Sequence, residues 1–178
     1  MGHRPGRVLI TQDEIAARVR ELGTAVARDY AGRDPLLVGV LKGAVVFLAD
    51  LIRVIDIPVT LDFIGMSSYG ASTRSSGVVK ITSDLSVSIE DRHVLVVEDI
   101  IDSGRTINYL RRNLQTRHPR SLKLCALLDK AERREEEVEI DYLGFCIPSQ
   151  FVVGYGLDFE GLYRNLPHIT VLEDELVG

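Results

Sequence analysis

The chain has 178 residues, 46% apolar and 26% charged, enough to bury the core of one globular domain and too apolar for a disordered chain. With 26 acidic against 21 basic residues its net charge is -5, which gives no overall footprint for nucleic acid or an anionic bilayer, although a local basic face stays open. Cys125 and Cys146, each inside an apolar run, are too few for a disulfide framework and read as buried, reduced thiols.

The N-terminal stretch MGHRPGRVLI carries charge but no continuous apolar core or small-residue cleavage site, and Gly6 stands where myristoylation needs Ser or Thr. Neither export nor lipidation is expected. Thr11 with Glu14 then forms a capping box, and Ile15, Val19, Leu22 and Val26 recur at helical spacing until Gly32, which predicts a helix from about Gln12 to Tyr30. The most apolar region, LLVGVLKGAVVFLADLI, is cut by Lys42, Gly43 and Asp50, so no membrane span is predicted and the expected location is the cytoplasm. Short apolar runs separated by helical stretches follow: LLVGV, AVVFLADLI, VTLDFIGM, VVKITSD, HVLVVED, RTINYLRRNLQ, LKLCALLD, YLGFCI and FVVGYGL. Strands that are apolar throughout and joined by helices predict an α/β domain with a largely parallel sheet covered on both faces. The segment KAERREEEVEID is highly charged, and such a run reads as a solvated face. The chain contains no repeat, low-complexity tract or linker.

A sheet of this kind puts its chemistry in the loops beyond the C-terminal strand ends. Three loops qualify: LKGA at Leu41 to Ala44, SSYGASTRSSG at Ser67 to Gly77, and EDIIDSGRT. The second is small, polar and bounded by glycine, which suits a mobile lid and equally an ordinary hairpin connection. Familiar signatures are otherwise missing. There is no G-x-x-x-x-G-K-[ST] loop, Phe159 takes the third glycine position of a dinucleotide fingerprint, and GMSSYG is one residue too long for a nucleophile elbow. His3, His93, His118 and His168 are scattered singly, so no zinc site is expected.

What remains is HVLVVEDIIDSGRT, His93 to Thr106. HVLVVE reads as a buried strand and RTINYLRRNLQ as an amphipathic helix with Ile107, Leu110 and Leu114 on one face. Between them Ser103, Gly104 and Thr106 offer hydroxyls and backbone N–H groups at a helix start, where an anion is favoured. Glu98, Asp99 and Asp102 set three carboxylates beside that anion site, an arrangement a lone phosphate does not explain. Two adjacent acids at a strand end can accept hydrogen bonds from neighbouring ribose hydroxyls or hold a hydrated Mg²⁺. The ligand so described is a 5-phosphorylated ribose with a metal.

VVEDIIDSGRT resembles the ribose-phosphate-binding signature of the purine phosphoribosyltransferases, and the resemblance continues in order through LKGAVVFLADL, SSYG, LLDK and FVVGYGLDFEGLYRNLP, roughly Leu37 to Pro167. It implies the type I phosphoribosyltransferase fold: one domain over residues 1–178, with a core of about 10–140 and a small hood of about 141–178, to which N-terminal residues also contribute or do not. It implies transfer of phosphoribose from phosphoribosyl pyrophosphate to N9 of a 6-oxopurine, with Mg²⁺ as cofactor and a homodimer or homotetramer as the assembly. Under the resemblance Glu98 and Asp99 hold the ribose hydroxyls and a metal, Asp102 is the acid/base at purine N7, and Ser103, Gly104, Arg105 and Thr106 cradle the 5-phosphate. Leu41, Lys42 and Gly43 meet the pyrophosphate across a cis bond after Leu41, Ser68 and Tyr69 belong to the lid, and Arg164 contacts the leaving pyrophosphate. Asp158 holds a second Mg²⁺.

In the implied base pocket Phe151 stacks on the ring and backbone groups near Val152 read the opposite edge. Lys130 has only donors to offer, so at the purine 6-position it accepts a 6-oxo group and disfavours the 6-amino group of adenine, which specifies hypoxanthine or guanine. Each residue also has a bland reading: Lys130 and Arg164 as surface charges, Phe151 as plain core, Asp158 as a cap. Cys146 departs from the family, which more often has an acidic residue there. Two other classes compete, a regulator of the same fold that senses phosphoribosyl pyrophosphate without turning it over, and a phosphoacceptor signalling domain suggested by VLVVED. The chain after Asp99 is too short to complete the latter.

Overall fold

The computed structural model describes residues 2–68 and 78–174. Its main sheet contains β2 (Leu36–Leu41), β3 (Thr60–Ser68), β4 (Val79–Ser83), β5 (His93–Ile101), β6 (Ser121–Asp129) and β7 (Tyr142–Cys146), in the order β4-β3-β2-β5-β6-β7. All neighbours run parallel except β4, which turns back antiparallel on β3 with Ser68 opposite Val79. The expected parallel α/β sheet is therefore present with one antiparallel edge. Tyr69 and the rest of the segment up to residue 77 lie outside the described residues, so its lid reading rests on sequence alone.

The strands are apolar on both faces because both are covered. Leu37, Leu95, Val97, Cys125 and Leu127 point toward α1 (Gln12–Asp29) and α2 (Val45–Val54), packing on Ile15, Val19, Leu22, Val26, Phe47, Leu48 and Leu51. The alternate residues Leu36, Val38, Val94, Val96, Leu124 and Ala126 pack on Ile107, Leu110 and Leu114 of α3 (Arg105–Gln115). This is the two-residue period of a strand filling two cores. Burial of each such Leu, Ile or Val contributes about 1.5–3 kcal/mol. The start of α1 is where the capping box predicts: the Thr11 hydroxyl accepts from the Glu14 N–H at 3.2 Å and the Glu14 carboxylate accepts from the Thr11 N–H at 2.7 Å.

A second, three-stranded antiparallel sheet joins the two ends of the described chain: β1 (His3–Ile10), β9 (Ile169–Asp174) and the short β8 (Val152–Val153), in the order β1-β9-β8. The sequence reading assigned no strand to His3–Ile10. Pro5 and Gly6 interrupt any strand pattern, and the ladder is irregular between Pro5 and Val8. The buried Thr170 hydroxyl, 2.8 Å from the carbonyls of Gly6 and Arg7, ties that irregular stretch to β9. Cys125 is buried as expected, which pushes its thiol up to about 12, but Cys146 is exposed at the end of the edge strand β7. No described helix is long and apolar enough to cross a membrane.

Candidate active site

The chain leaves β2 to build β3 and β4 on one side, then returns to place β5 on the other side of β2. Loops at the C-terminal ends of β2 and β5 therefore diverge, and a crevice opens between them. A cavity of about 230 Å³ lies there, lined by Leu41, Gly43, Glu98, Asp99, Asp102, Ser103, Gly104 and Thr106 together with Val40, Met66, Ile100, Ile101 and Ile107. Eight residues singled out from the sequence thus meet in one place.

Glu98 and Asp99 lie just beyond Val97, where β5 parts from β2 while its ladder with β6 runs on to Ile101. Glu98 is only 7% exposed, and burial pushes its carboxyl well above the ordinary range, with the charge of Asp99 adding to the effect. Asp99 is also raised by burial, partly offset by its hydrogen bond with Glu98, by the Ile100 N–H donating to it at 2.7 Å and by the charge of Arg164. Two desolvated carboxyls side by side favour protonation unless a cation or hydroxyl donors replace the lost water. The peptide bond between Leu41 and Lys42 is cis, as the resemblance implies. Gly43 follows directly against Asp99, and a Cβ there would overlap the Asp99 carboxylate. The Lys42 side chain is exposed.

The turn from β5 into α3 has a backbone suited to an anion. Gly104, the residue before the helix, has φ of 90°, and a Cβ on it would lie 2.6 Å from the Glu136 carbonyl. Gly104 has no side chain to cap α3, so apart from the N–H of Arg105 the first-turn N–H groups remain for a ligand. The Ser103 hydroxyl accepts from the Arg105 N–H at 3.3 Å, and the Ser103 carbonyl accepts from the N–H groups of Glu135 at 2.9 Å and Glu136 at 3.1 Å. The charge run is thus more than a solvated face: its backbone buttresses the turn. The Arg105 side chain does not line the cavity and pairs with Glu135 at 2.5 Å. The Arg105 N–H is the group turned back to Ser103.

Asp102 is half exposed, with Oδ1 3.1 Å from Nε of Arg133, a residue the sequence reading passed over. Lys130 follows β6, its N–H donating to the Ile101 carbonyl at 3.0 Å. It is 7% exposed and not a surface charge; burial lowers its pKa below the ordinary value, the negative charge of Asp102 opposes that shift and Arg133 adds to it. The Lys130 ammonium stands 5.8 Å from the centroid of the Phe151 ring. Phe151 is 53% exposed, so its plain-core reading fails. Its edge-to-face partner is Phe159, with centroids 5.7 Å apart, and Phe159 meets the His3 ring at 4.7 Å. An aromatic row so runs from β1 to the exposed face of Phe151. Val152, the first residue of β8, is buried.

Arg164 and Asp158 form a half-buried pair at 3.0 Å outside the cavity lining. Arg164 also donates to the Gly156 carbonyl at 2.7 Å, while Asp158 accepts from the Gly161 N–H at 2.8 Å, the capping role that was its bland reading. Ser68 ends β3. Among the described residues no group of three or more His, Cys, Asp or Glu side chains could hold a metal by itself. A cation at Glu98 and Asp99 would have to complete its shell from ligand oxygens and water, the habit of Mg²⁺, and the all-oxygen donors and unrelieved acidity of that pair fit it.

The phosphoribosyl transferase domain model matches residues 10–160. The bifunctional protein TilS/HprT of Listeria monocytogenes is 52% identical over 170 residues, covering 96% of this chain, which spans only 26% of that protein's length. The hypoxanthine-guanine phosphoribosyltransferase of Mycobacterium avium is 51% identical over 172 residues, 93% of this chain and 85% of that protein. Among solved structures, a hypoxanthine phosphoribosyltransferase from Staphylococcus aureus superimposes with a TM-score of 0.90 at 44% identity, covering 95% of this chain and 92% of that one. With a matching domain model, a matching fold and about half its residues shared with full-length relatives, the chain belongs to the phosphoribosyltransferase family.

Proposed function

We propose that the protein transfers the 5-phosphoribosyl group of phosphoribosyl pyrophosphate to N9 of hypoxanthine or guanine, giving the nucleoside monophosphate and pyrophosphate. The observation that carries this reading is the meeting of the buried Glu98–Asp99 pair with the uncapped start of α3 in one cavity at the sheet's switch point. Only a ligand with both hydroxyls and a phosphate uses both halves. Relatives named for the same reaction share about half of this chain's residues.

In this reading the Ser103–Thr106 turn binds the 5-phosphate through backbone N–H groups and hydroxyls, and Glu98 and Asp99 take the ribose hydroxyls. Those two acids would also hold Mg²⁺, with Asp158 the candidate for a second ion; when bound, Mg²⁺ supplies charge neutralisation for the departing pyrophosphate. The backbone of Leu41 to Gly43, the Lys42 ammonium and Arg164 are the protein's groups for the pyrophosphate. The ribose carbon gains cationic character as pyrophosphate leaves, and the segment holding Ser68 and Tyr69 acts as the lid that keeps water from trapping it. Phe151 stacks on the purine, backbone near Val152 reads its 2-position edge, Lys130 donates to the 6-oxo group, and Asp102 takes the N7 proton. The small sheet is the hood over the base. A cytoplasmic homodimer or homotetramer completes the reading.

Incubation with hypoxanthine, phosphoribosyl pyrophosphate and Mg²⁺ should release pyrophosphate and form the nucleotide; a protein that only senses the donor binds it and makes none. Asp102→Asn should lower kcat by about 10² to 10⁴ while donor affinity, read by calorimetry, stays near the parent's. Unchanged turnover removes Asp102 from its role.

A further inference from the structure

Arg133 is the last residue of the single helical turn Ala131–Arg133, and its N–H donates to the Lys130 carbonyl at 2.9 Å. Lys130 in turn hydrogen-bonds through its own N–H to the carbonyl of Ile101, the residue before Asp102. The backbone thereby brings three charged residues together: Asp102 and Arg133 meet through their charged ends, and Lys130 feels the charge of both. The Arg133–Asp102 pair is exposed, 57% and 48%, so it is worth little as a stabilising ion pair. Its value lies in geometry, since the Arg133 Nε stands against Oδ1, one of the two carboxylate oxygens.

We propose that Arg133 is a positioning residue for Asp102: it holds the carboxylate by Oδ1 with Oδ2 turned to the purine, and keeps it from pairing with Lys130, whose ammonium stays available for the base. The inference rests on the reading that Asp102 acts at N7 and Lys130 at the 6-position. As the bond from C1′ to N9 forms, the bond from C1′ to pyrophosphate breaks and pyrophosphate leaves with its electron pair. The N7 proton passes to Asp102 Oδ2, while Arg133 neither gains nor loses a proton. In the reverse direction the neutral Asp102, still facing Arg133, returns that proton to N7. Two effects of losing Arg133 then separate from any effect on the donor. The carboxylate loses its fixed orientation, and it becomes a competitor for Lys130. A slack acid/base costs turnover, and a captured Lys130 costs discrimination between 6-oxo and 6-amino purines.

The test is steady-state kinetics on Arg133→Met, Arg133→Lys, Asp102→Asn and the double variant Asp102→Asn/Arg133→Met, with thermal melting and donor titration on each. Arg133→Met should lose about 10- to 100-fold in kcat with hypoxanthine and part of its preference over adenine, at unchanged KM for the donor. Arg133→Lys, which keeps the charge at an exposed turn and cannot upset packing, should recover part of both losses. In the Asp102→Asn background, Arg133→Met should lower kcat no further. If Asp102→Asn is impaired while Arg133→Met matches the parent in kcat and purine preference, the Arg133 inference falls and the Asp102 reading stands. An undiminished loss from Arg133→Met in the Asp102→Asn background also overturns action through Asp102. Parent-like turnover in Asp102→Asn itself overturns both.

Discussion

At Glu98 a carboxyl group sits where solvent can hardly reach it and beside a second acid, and this has a measurable consequence for the ligand-free protein. Its pKa is raised from the ordinary 4.5, so the folded form binds its proton more readily than the unfolded form. Its contribution to stability is fully present below the unfolded value and is lost as pH rises through the raised value. Near neutral pH the acid is a cost that a bound cation and ribose hydroxyls would relieve. Glu98→Gln should therefore melt higher than the parent at pH 7 to 8 without ligand, by roughly 2–4 °C per kcal/mol gained, while binding Mg²⁺-loaded donor more weakly. Equal melting temperatures across that range would show that the pair costs nothing. In the proposed base pocket Lys130 sets selectivity. Lys130→Ala should lose the preference for hypoxanthine over adenine, measured as the ratio of kcat/KM values, and a variant that discriminates as well as the parent contradicts its place at the 6-position.

At the scale of elements, the proposed phosphate cradle depends on how α3 begins. Gly104→Ala puts a side chain at φ 90° and 2.6 Å from the Glu136 carbonyl, so either the turn or the charged segment behind it must shift. A loss of about 1–3 kcal/mol of stability is expected in denaturant melts, with weaker donor binding. Parent-like stability would mean that the segment yields freely. This element was legible in sequence because its signals are local: glycine, hydroxyls and carboxylates within a few residues, then a helical apolar stripe. The cap of α1 was legible for the same reason. β1 was not, since its partner β9 lies more than 150 residues away and Pro5 and Gly6 break its pattern. Arg133 and the row His3–Phe159–Phe151 were missed because their meaning comes from contacts between distant segments. Cys146 was misjudged because an apolar run shows that a strand exists, not that it lies at the sheet's edge.

For the whole molecule, apolar strands separated by helices were enough to predict a covered parallel sheet, but not the order β4-β3-β2-β5-β6-β7 that opens the crevice. That order is a property of how β2 is flanked, which no single segment encodes. The small sheet adds something different. His3 lies opposite Asp174, so the two ends of the described chain are cross-strand neighbours. A short Gly/Ser linker from Asp174 to His3 would close the polypeptide into a ring with little strain, and the ring could be reopened between Gly32 and Arg33, an exposed loop at the opposite end of β2 from the crevice. Such a circular permutant should fold cooperatively and form nucleotide at a rate within about tenfold of the parent. A permutant that folds but fails to turn over would mean that covalent continuity at Gly32, remote as it is, is felt in the crevice. The described chain therefore enters and leaves at one corner of the protein, beside the aromatic row that reaches Phe151.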